Sequence, residues 1–298
     1  MIENLIVFGA LSGAVYALLA LGFTLIYGVA DVINMAHGAF YMLGAYAFSI
    51  FLMNLGYNSI TNPSSFLLLT ALILATIFVG FVGIIIYRLF VHPLIENPLS
   101  VLVVTIGATL ILQQMILLWF GDVDMAVPKL LEGYTLLLGL KVAYHSLLSL
   151  VLSLGLIAIL GIFIARSKIG GAMRAAAQDR EVAMLMGINT ERLYMLTMAI
   201  SASLAAIAGI LLNPPAASPM LREWTYPLVM SFAIVIIGGL GSIKGSLVGA
   251  FIIGYVEQAV RVFFPGMGYL QGAAALTVMV LVLVLRPRGF FGKHVEAE

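Results

Sequence analysis

Apolar residues along this chain run in long blocks, each closed by a few polar or turn-forming residues. A helix needs about 20 predominantly apolar residues to cross a bilayer core. Blocks of that kind lie near 5–29, 36–56, 66–90, 99–120, 146–165, 193–212, 226–240, 246–264 and 270–286, with 226–240 the shortest. The pattern predicts an all-α polytopic bundle of eight or nine transmembrane helices forming one membrane domain over 1–298. The opening MIENLIVFGALSGAVYALLALGFTLIYG has Glu3 as its first charge, no basic n-region, and an apolar run too long for a secretory signal, so a retained first span is expected. The connections NLGYNSITNPSS, GDVDMAVPKLLEGYTLLLGLKVAY and NPPAASPMLREWTY carry the Pro, Asn and Gly of loops, and none is large enough for a second domain.

Composition sharpens this picture. Of 298 residues 63% are hydrophobic and 9% charged, whereas a water-soluble chain carries roughly a quarter charged residues to wet its surface. Most of this surface must therefore meet lipid or membrane protein. A net charge of +1 with no dense basic stripe excludes nucleic acid as a partner. The absence of cysteine excludes disulfides, thiolate catalysis and cysteine metal sites. With the N-terminus outside, Arg88, Arg166, Lys168, Arg174, Arg180, Arg192, Lys244, Arg286, Arg288 and Lys293 fall on one side, against Lys129, Lys141, Arg222 and Arg261 on the other. Because cytoplasmic loops accumulate Lys and Arg, the first side is expected to be cytoplasmic, and the C-terminus with it.

One polar segment interrupts the blocks on that side: AAAQDREVAMLMGINTERL, 175–193. Strong helix formers dominate it, Gln178, Asp179, Arg180 and Glu181 gather its polarity, and the apolar run 182–186 stops at Gly187, a C-cap residue. Asn189 or Thr190 can cap the following helix. The segment predicts a short helix along the cytoplasmic face. It could rest on lipid headgroups as an amphipathic connection, or seat its apolar anchors in a groove of a partner.

Glu181, Ala183 and Gly187, in E-V-A-M-L-M-G, resemble the Glu-Ala-Ala-x-x-x-Gly loop of ABC-importer permeases, with Val182 in place of the first Ala. AAAQDREVAMLMGIN, VYALLALGFTLIYGVADVINMAHGAFYMLGAY, GGLGSIKGSLVGAFIIGYVE and LRPRGFFG together bracket nearly the whole chain and are similar to the H-type membrane subunits of branched-chain amino acid importers. The resemblance implies a coupling loop at 171–192, with Gln178, Asp179, Glu181, Ala183 and Gly187 facing a cytoplasmic ATPase. It also implies a second related permease, two ABC ATPase subunits, a periplasmic or extracellular substrate-binding protein, and residence in a bacterial inner membrane. ATP would be used by the partners, with no cofactor and no catalysis in this chain. Leucine, isoleucine and valine are the implied cargo. Permeases of urea and short-amide importers look much the same, so both cargo classes stay open here.

Further polar residues interrupt the apolar blocks. Asn34 and His37, in ADVINMAHGAF, either line the inner mouth of the pathway or belong to a turn in which Asp31 and Asn34 cap the second helix. Thr105, Thr109, Gln113 and Gln114 either bind cargo in transit or tie helices together. GGLGSIKGS lacks the spacing of a P-loop; Gly241, Gly245 and Gly249 instead repeat every four residues, as in closely packed membrane helices, with Gly9 and Gly13 a weaker version. Two glycine-rich breaks, INMAHGAFYMLGAY and IGGLGSIKGSLVGAFIIGY, each follow an apolar span and open a small-residue span, which suggests an internal repeat. Glu257 is the one carboxylate well inside a span, and Arg261 four residues on predicts an ion pair. That pairing counts against an ion-coupled transporter working alone, which needs titratable groups along its path. An intramembrane enzyme is opposed by the lack of H-E-x-x-H and Cys.

Overall fold

The computed structural model describes residues 1–57, 64–121, 128–212 and 224–292. Parts of the three predicted outer connections, the C-terminal 293–298, and the cations Arg222 and Lys293 lie outside the described residues. The described chain folds into eleven α-helices: α1 (Ile2–Ala30), α2 (His37–Asn54), α3 (Ser65–Ile86), α4 (Pro98–Phe120), α5 (Tyr144–Arg166), α6 (Lys168–Ala176), α7 (Arg180–Leu185), α8 (Thr190–Leu212), α9 (Thr225–Gly238), α10 (Ile243–Phe263) and α11 (Leu270–Leu285). All nine apolar blocks are helical. Six helical stretches are long and apolar enough to cross a membrane by length and composition: Ile2–Ala30, Ser65–Leu94, Pro98–Phe120, Tyr144–Arg166, Thr190–Leu212 and Ile243–Phe263. The second of these is α3 prolonged by a π turn, Tyr87–Val91, and a 3₁₀ turn, His92–Leu94.

The centre of the bundle is α1. It is apolar on every side, and a helix of that kind belongs in an interior. From Ala14 to Ile26 its side chains are buried, and it packs along α10 and α8. α2, α3 and α8 pack on one another. The outer shell is α3, α4, α5 and α11, which keep large apolar side chains such as Phe66, Leu118, Val151 and Val284 exposed. Exposure on that scale is stable only in lipid or against another apolar surface.

Between α1 and α2 the chain is not helical over 31–36, yet Val32, Asn34 and Ala36 are buried. Asp31 closes α1 with a left-handed φ of 53° and its N–H donating to the Tyr27 carbonyl. Irregular backbone survives at membrane depth only when protein satisfies its polar groups. Here Thr105 of α4 accepts from the Met35 N–H at 3.1 Å, and Thr109 donates to the Met35 carbonyl at 3.2 Å.

The connection before α5 holds an element that the loop composition does not predict: an antiparallel hairpin, β1 (Tyr134–Leu137) with β2 (Leu140–Ala143). Leu138 and Gly139 form its two-residue turn, with φ of 51° and 78°. Positive φ at both positions is the I′ geometry that matches strand twist. Leu-Gly is a weak signal beside Asn-Gly, which explains why it reads as plain loop.

Candidate functional site

The predicted single helix over the polar segment is in fact an elbow of two. α6 ends at Ala176, the chain turns through 177–179, and α7 restarts at Arg180. Asp179 makes the break: its backbone is extended, and its Oδ1 accepts from the Val182 N–H at 3.0 Å as an N-cap. A short acid that can bond its own backbone favours a cap over a helix interior. Gly187, with φ of 81°, ends α7, and the Ile188 N–H returns to the Ala183 carbonyl at 3.1 Å, a Schellman closure. Asn189 then caps α8, accepting from the Arg192 N–H at 2.9 Å.

α7 is pinned through one face and open on the rest. Ala183 is 2% exposed, and the Arg180 guanidinium lies 5.8 Å from the centre of the Tyr194 ring. Leu185 and Met186 are 86% and 78% exposed, with Val182 and Met184 about half exposed. Gln178, Asp179 and Glu181 are also exposed. The six-residue helix thus presents methionine and leucine outward within a polar collar. Behind it, a cavity of 220 Å³ runs between α1, α6 and the α9–α10 connection, with Thr24, Gly28, Arg174, Gln178 and Gly241 on its walls. The five residues expected to face an ATPase therefore lie together on α7 and its two flanking turns, although Ala183 faces inward rather than out.

The residues considered for a pathway fall into two places. Asn34, His37 and Thr105 gather at the α1–α2 break, all fully buried. Asn34 Oδ1 accepts from the Ala36 N–H at 3.0 Å, bridging the turn before α2 instead of capping the helix, and its Nδ2 meets Met198 Sδ at 3.3 Å. His37 Nε2 donates to the Leu19 carbonyl at 2.8 Å, and its Nδ1 lies 3.4 Å from the Ser201 hydroxyl. Gln113, farther along α4, accepts from Trp224 Nε1 at 2.7 Å. Each has a protein partner that explains its burial.

The glycine ladder divides. A Cβ on Gly245 would strike the Gly238 backbone, and one on Gly249 would meet the Ile234 carbonyl, so both set the α9–α10 spacing. Gly241 precedes α10 and lies in the break, with φ of 76°, its backbone against Gly28 of α1. On the other face of α10, Gly254 meets Gly9 and Gly13 of α1.

Glu257 departs from its expected partner. Among the described residues no ion pair joins it to Arg261. Glu257, 4% exposed, accepts from the Tyr16 hydroxyl at 2.7 Å and from the Tyr226 hydroxyl, while Arg261 Nη2 donates to Gln271 Oε1 at 3.4 Å. These groups edge a cavity of 350 Å³ at the junction of α1, α5, α9 and α10. Neither tyrosine stands out in the sequence, since Tyr16 and Glu257 are 241 residues apart. Among the described residues no group of three His, Cys, Asp or Glu is placed to hold a metal ion.

Comparison with known proteins agrees over the full length. The family described as branched-chain amino acid transport system / permease component matches residues 5–297. The chain is 33% identical over 294 residues to the high-affinity branched-chain amino acid transport system permease protein LivH of Salmonella typhimurium, covering 96% of this chain and 94% of that one. It is 32% identical over 291 residues to the corresponding permease protein BraD of Pseudomonas aeruginosa, with the same coverage. The probable branched-chain amino acid transport permease protein LivH of Methanocaldococcus jannaschii is 28% identical over 314 residues. No solved structure matches the chain. A match over nearly every residue, on a bundle with this elbow, makes the chain a member of the branched-chain amino acid transport permease family.

Proposed function

We propose that this chain is the membrane-spanning permease subunit of an ABC importer, and that it carries leucine, isoleucine and valine inward by ATP-driven alternating access. In this reading the nine apolar helices form one permease domain in a bacterial inner membrane. The N-terminus is outside and α6, α7 and the C-terminus are cytoplasmic. The chain pairs with a second, related permease, two cytoplasmic ATPases and an external binding protein. It performs no covalent chemistry and holds no cofactor; ATP is spent by the partners.

The observation that carries this reading is α7. A six-residue helix capped at both ends, with Leu185 and Met186 almost fully exposed, leaves apolar area in water unless something covers it. Its polar collar and short length suit insertion into a groove, where the apolar anchors supply affinity and the collar fixes orientation. Closing of the ATPase pair would then push on a rigid hairpin joined directly to α5 and α8.

The test is uptake by the complete complex in proteoliposomes. ATP inside with binding protein outside should drive accumulation of labelled leucine, blocked by excess isoleucine or valine and not by urea. Uptake of urea instead of leucine would move the chain to the short-amide importers. Leucine uptake driven by an ion gradient without ATP would make it a secondary transporter.

A further inference from the structure

The cavity at the α1–α9–α10 junction is one the coupling mechanism does not use. We infer that it is a station for the cargo and takes a small zwitterion with an aliphatic side chain, Glu257 receiving the ammonium group and Arg261 the carboxylate. This rests on the permease reading above and adds to it a place and a chemistry of recognition.

A carboxylate held away from water is costly, and in membrane proteins such groups face an interior cavity or a partner charge. Glu257 has the cavity but no cation within 4 Å among the described residues. A carboxylate offers about four acceptor positions; the Tyr16 and Tyr226 hydroxyls fill two, one on each oxygen. The remaining two are free to accept from an ammonium group. The tyrosines come from α1 and α9, so they fix the carboxylate against rotation and act as positioning residues. Arg261 stands one helical turn along α10, on the same cavity wall, and among the described residues its side chain makes one hydrogen bond, the long one to Gln271. Two opposite charges that line one space without meeting each other are complementary to a molecule that carries both.

The rest of the wall limits what that molecule is. Leu11, Val15, Leu211 and Leu212 offer apolar surface for an aliphatic side chain. The volume of 350 Å³ is at the small end of the roughly 300–1,000 Å³ of ligand sites, which excludes a peptide or lipid. Urea, uncharged, would leave both charges uncompensated. A fatty acid would meet Arg261 but be repelled by Glu257.

The chain has no cysteine, so Ser146→Cys places a single thiol on this wall, at a half-buried position of α5. In the complete complex bearing Ser146→Cys, and shown to import leucine, alkylation of that thiol by a small maleimide is followed with and without added leucine. Leucine should slow the reaction several-fold, while 4-methylpentanoate, which lacks the ammonium group, and leucinamide, which lacks the carboxylate, should not. Adding Glu257→Gln should raise the leucine concentration for half-protection by about tenfold or more, the effect of losing a charged hydrogen bond. Arg261→Gln, at an exposed position, should do the same and serves as the second variant if Glu257→Gln fails to assemble. No protection by leucine in a complex that imports leucine would overturn the station and leave the permease reading standing. Equal protection in both variants would also overturn it. A complex that imports no leucine would fail the permease reading itself.

Discussion

Gly254 sits where α10 crosses α1, and a Cβ there would lie 2.6 Å from the Gly13 nitrogen and 2.7 Å from its Cα. Backbone atoms cannot swing aside, so Gly254→Ala forces the two helices apart, at about 1–3 kcal/mol for an overpacked contact. Gly155 of α5 has nothing within 4 Å of the same built Cβ. Gly155→Ala should be neutral or stabilising by up to about 1 kcal/mol through reduced chain entropy. Thermal unfolding of the detergent-solubilised protein should therefore show the same substitution lowering Tm at 254 and not at 155. Thr105 supplies a second residue-scale prediction. Thr105→Val keeps the shape but leaves the half-buried Met35 N–H without its acceptor, a cost of about 1 kcal/mol, whereas Thr105→Ser retains the hydroxyl and most of the stability. At this scale the sequence showed which residues were unusual but not whom they met. Gly245 and Gly249 read correctly as close-packing positions, while Gly241 reads as part of the same ladder and is a turn. Glu257 and Arg261 have the spacing of an ion pair, yet two tyrosines from distant helices take the carboxylate. Spacing along one helix says nothing about competitors arriving from another.

At the scale of elements, α7 is set by three local devices whose removal should have separable effects. Asp179→Ala removes the N-cap and should cost about 1 kcal/mol locally, seen as faster hydrogen exchange at the amides of Arg180 to Leu185 with little change in global Tm. Gly187→Val imposes a β-branched side chain at φ of 81°, at about 1–2 kcal/mol for the left-handed conformation, and should misdirect the hairpin. Leu185→Asp touches only an exposed position, so stability should stay within about 0.5 kcal/mol. Leucine uptake and its coupled ATPase activity should nevertheless fall together; unchanged uptake by the Leu185→Asp complex would mean that this helix rests on lipid. The nine apolar helices were legible because burial in lipid or core demands continuous apolar runs. Gly187 and Asn189 were legible as caps because capping is local chemistry. The α6–α7 break was missed since Asp179 reads equally as a polar residue of one helix, and the hairpin because only a Leu-Gly dipeptide marks its turn.

For the whole molecule, the central helix α1 is enclosed by α8, α9 and α10, while α3, α4, α5 and α11 form the periphery. The peripheral helices expose apolar side chains that suit lipid or a second permease. The irregular break at 31–36, buried against α4 and α8, fixes the core without a regular element, and its hydrogen bonds cross about 70 residues of sequence that no local pattern connects. In the proposed importer, partner ATPases drive the motion of this chain, and the exposed α7 is the surface through which that drive enters. The direct measurement is purification of the tagged chain from its native membranes, with every accompanying protein identified. The wild-type chain should bring down ABC ATPase subunits and a second permease, and Glu181→Lys should lose the ATPases while keeping the permease. A chain that comes down alone, or ATPases retained in full by Glu181→Lys and Leu185→Asp alike, would contradict it.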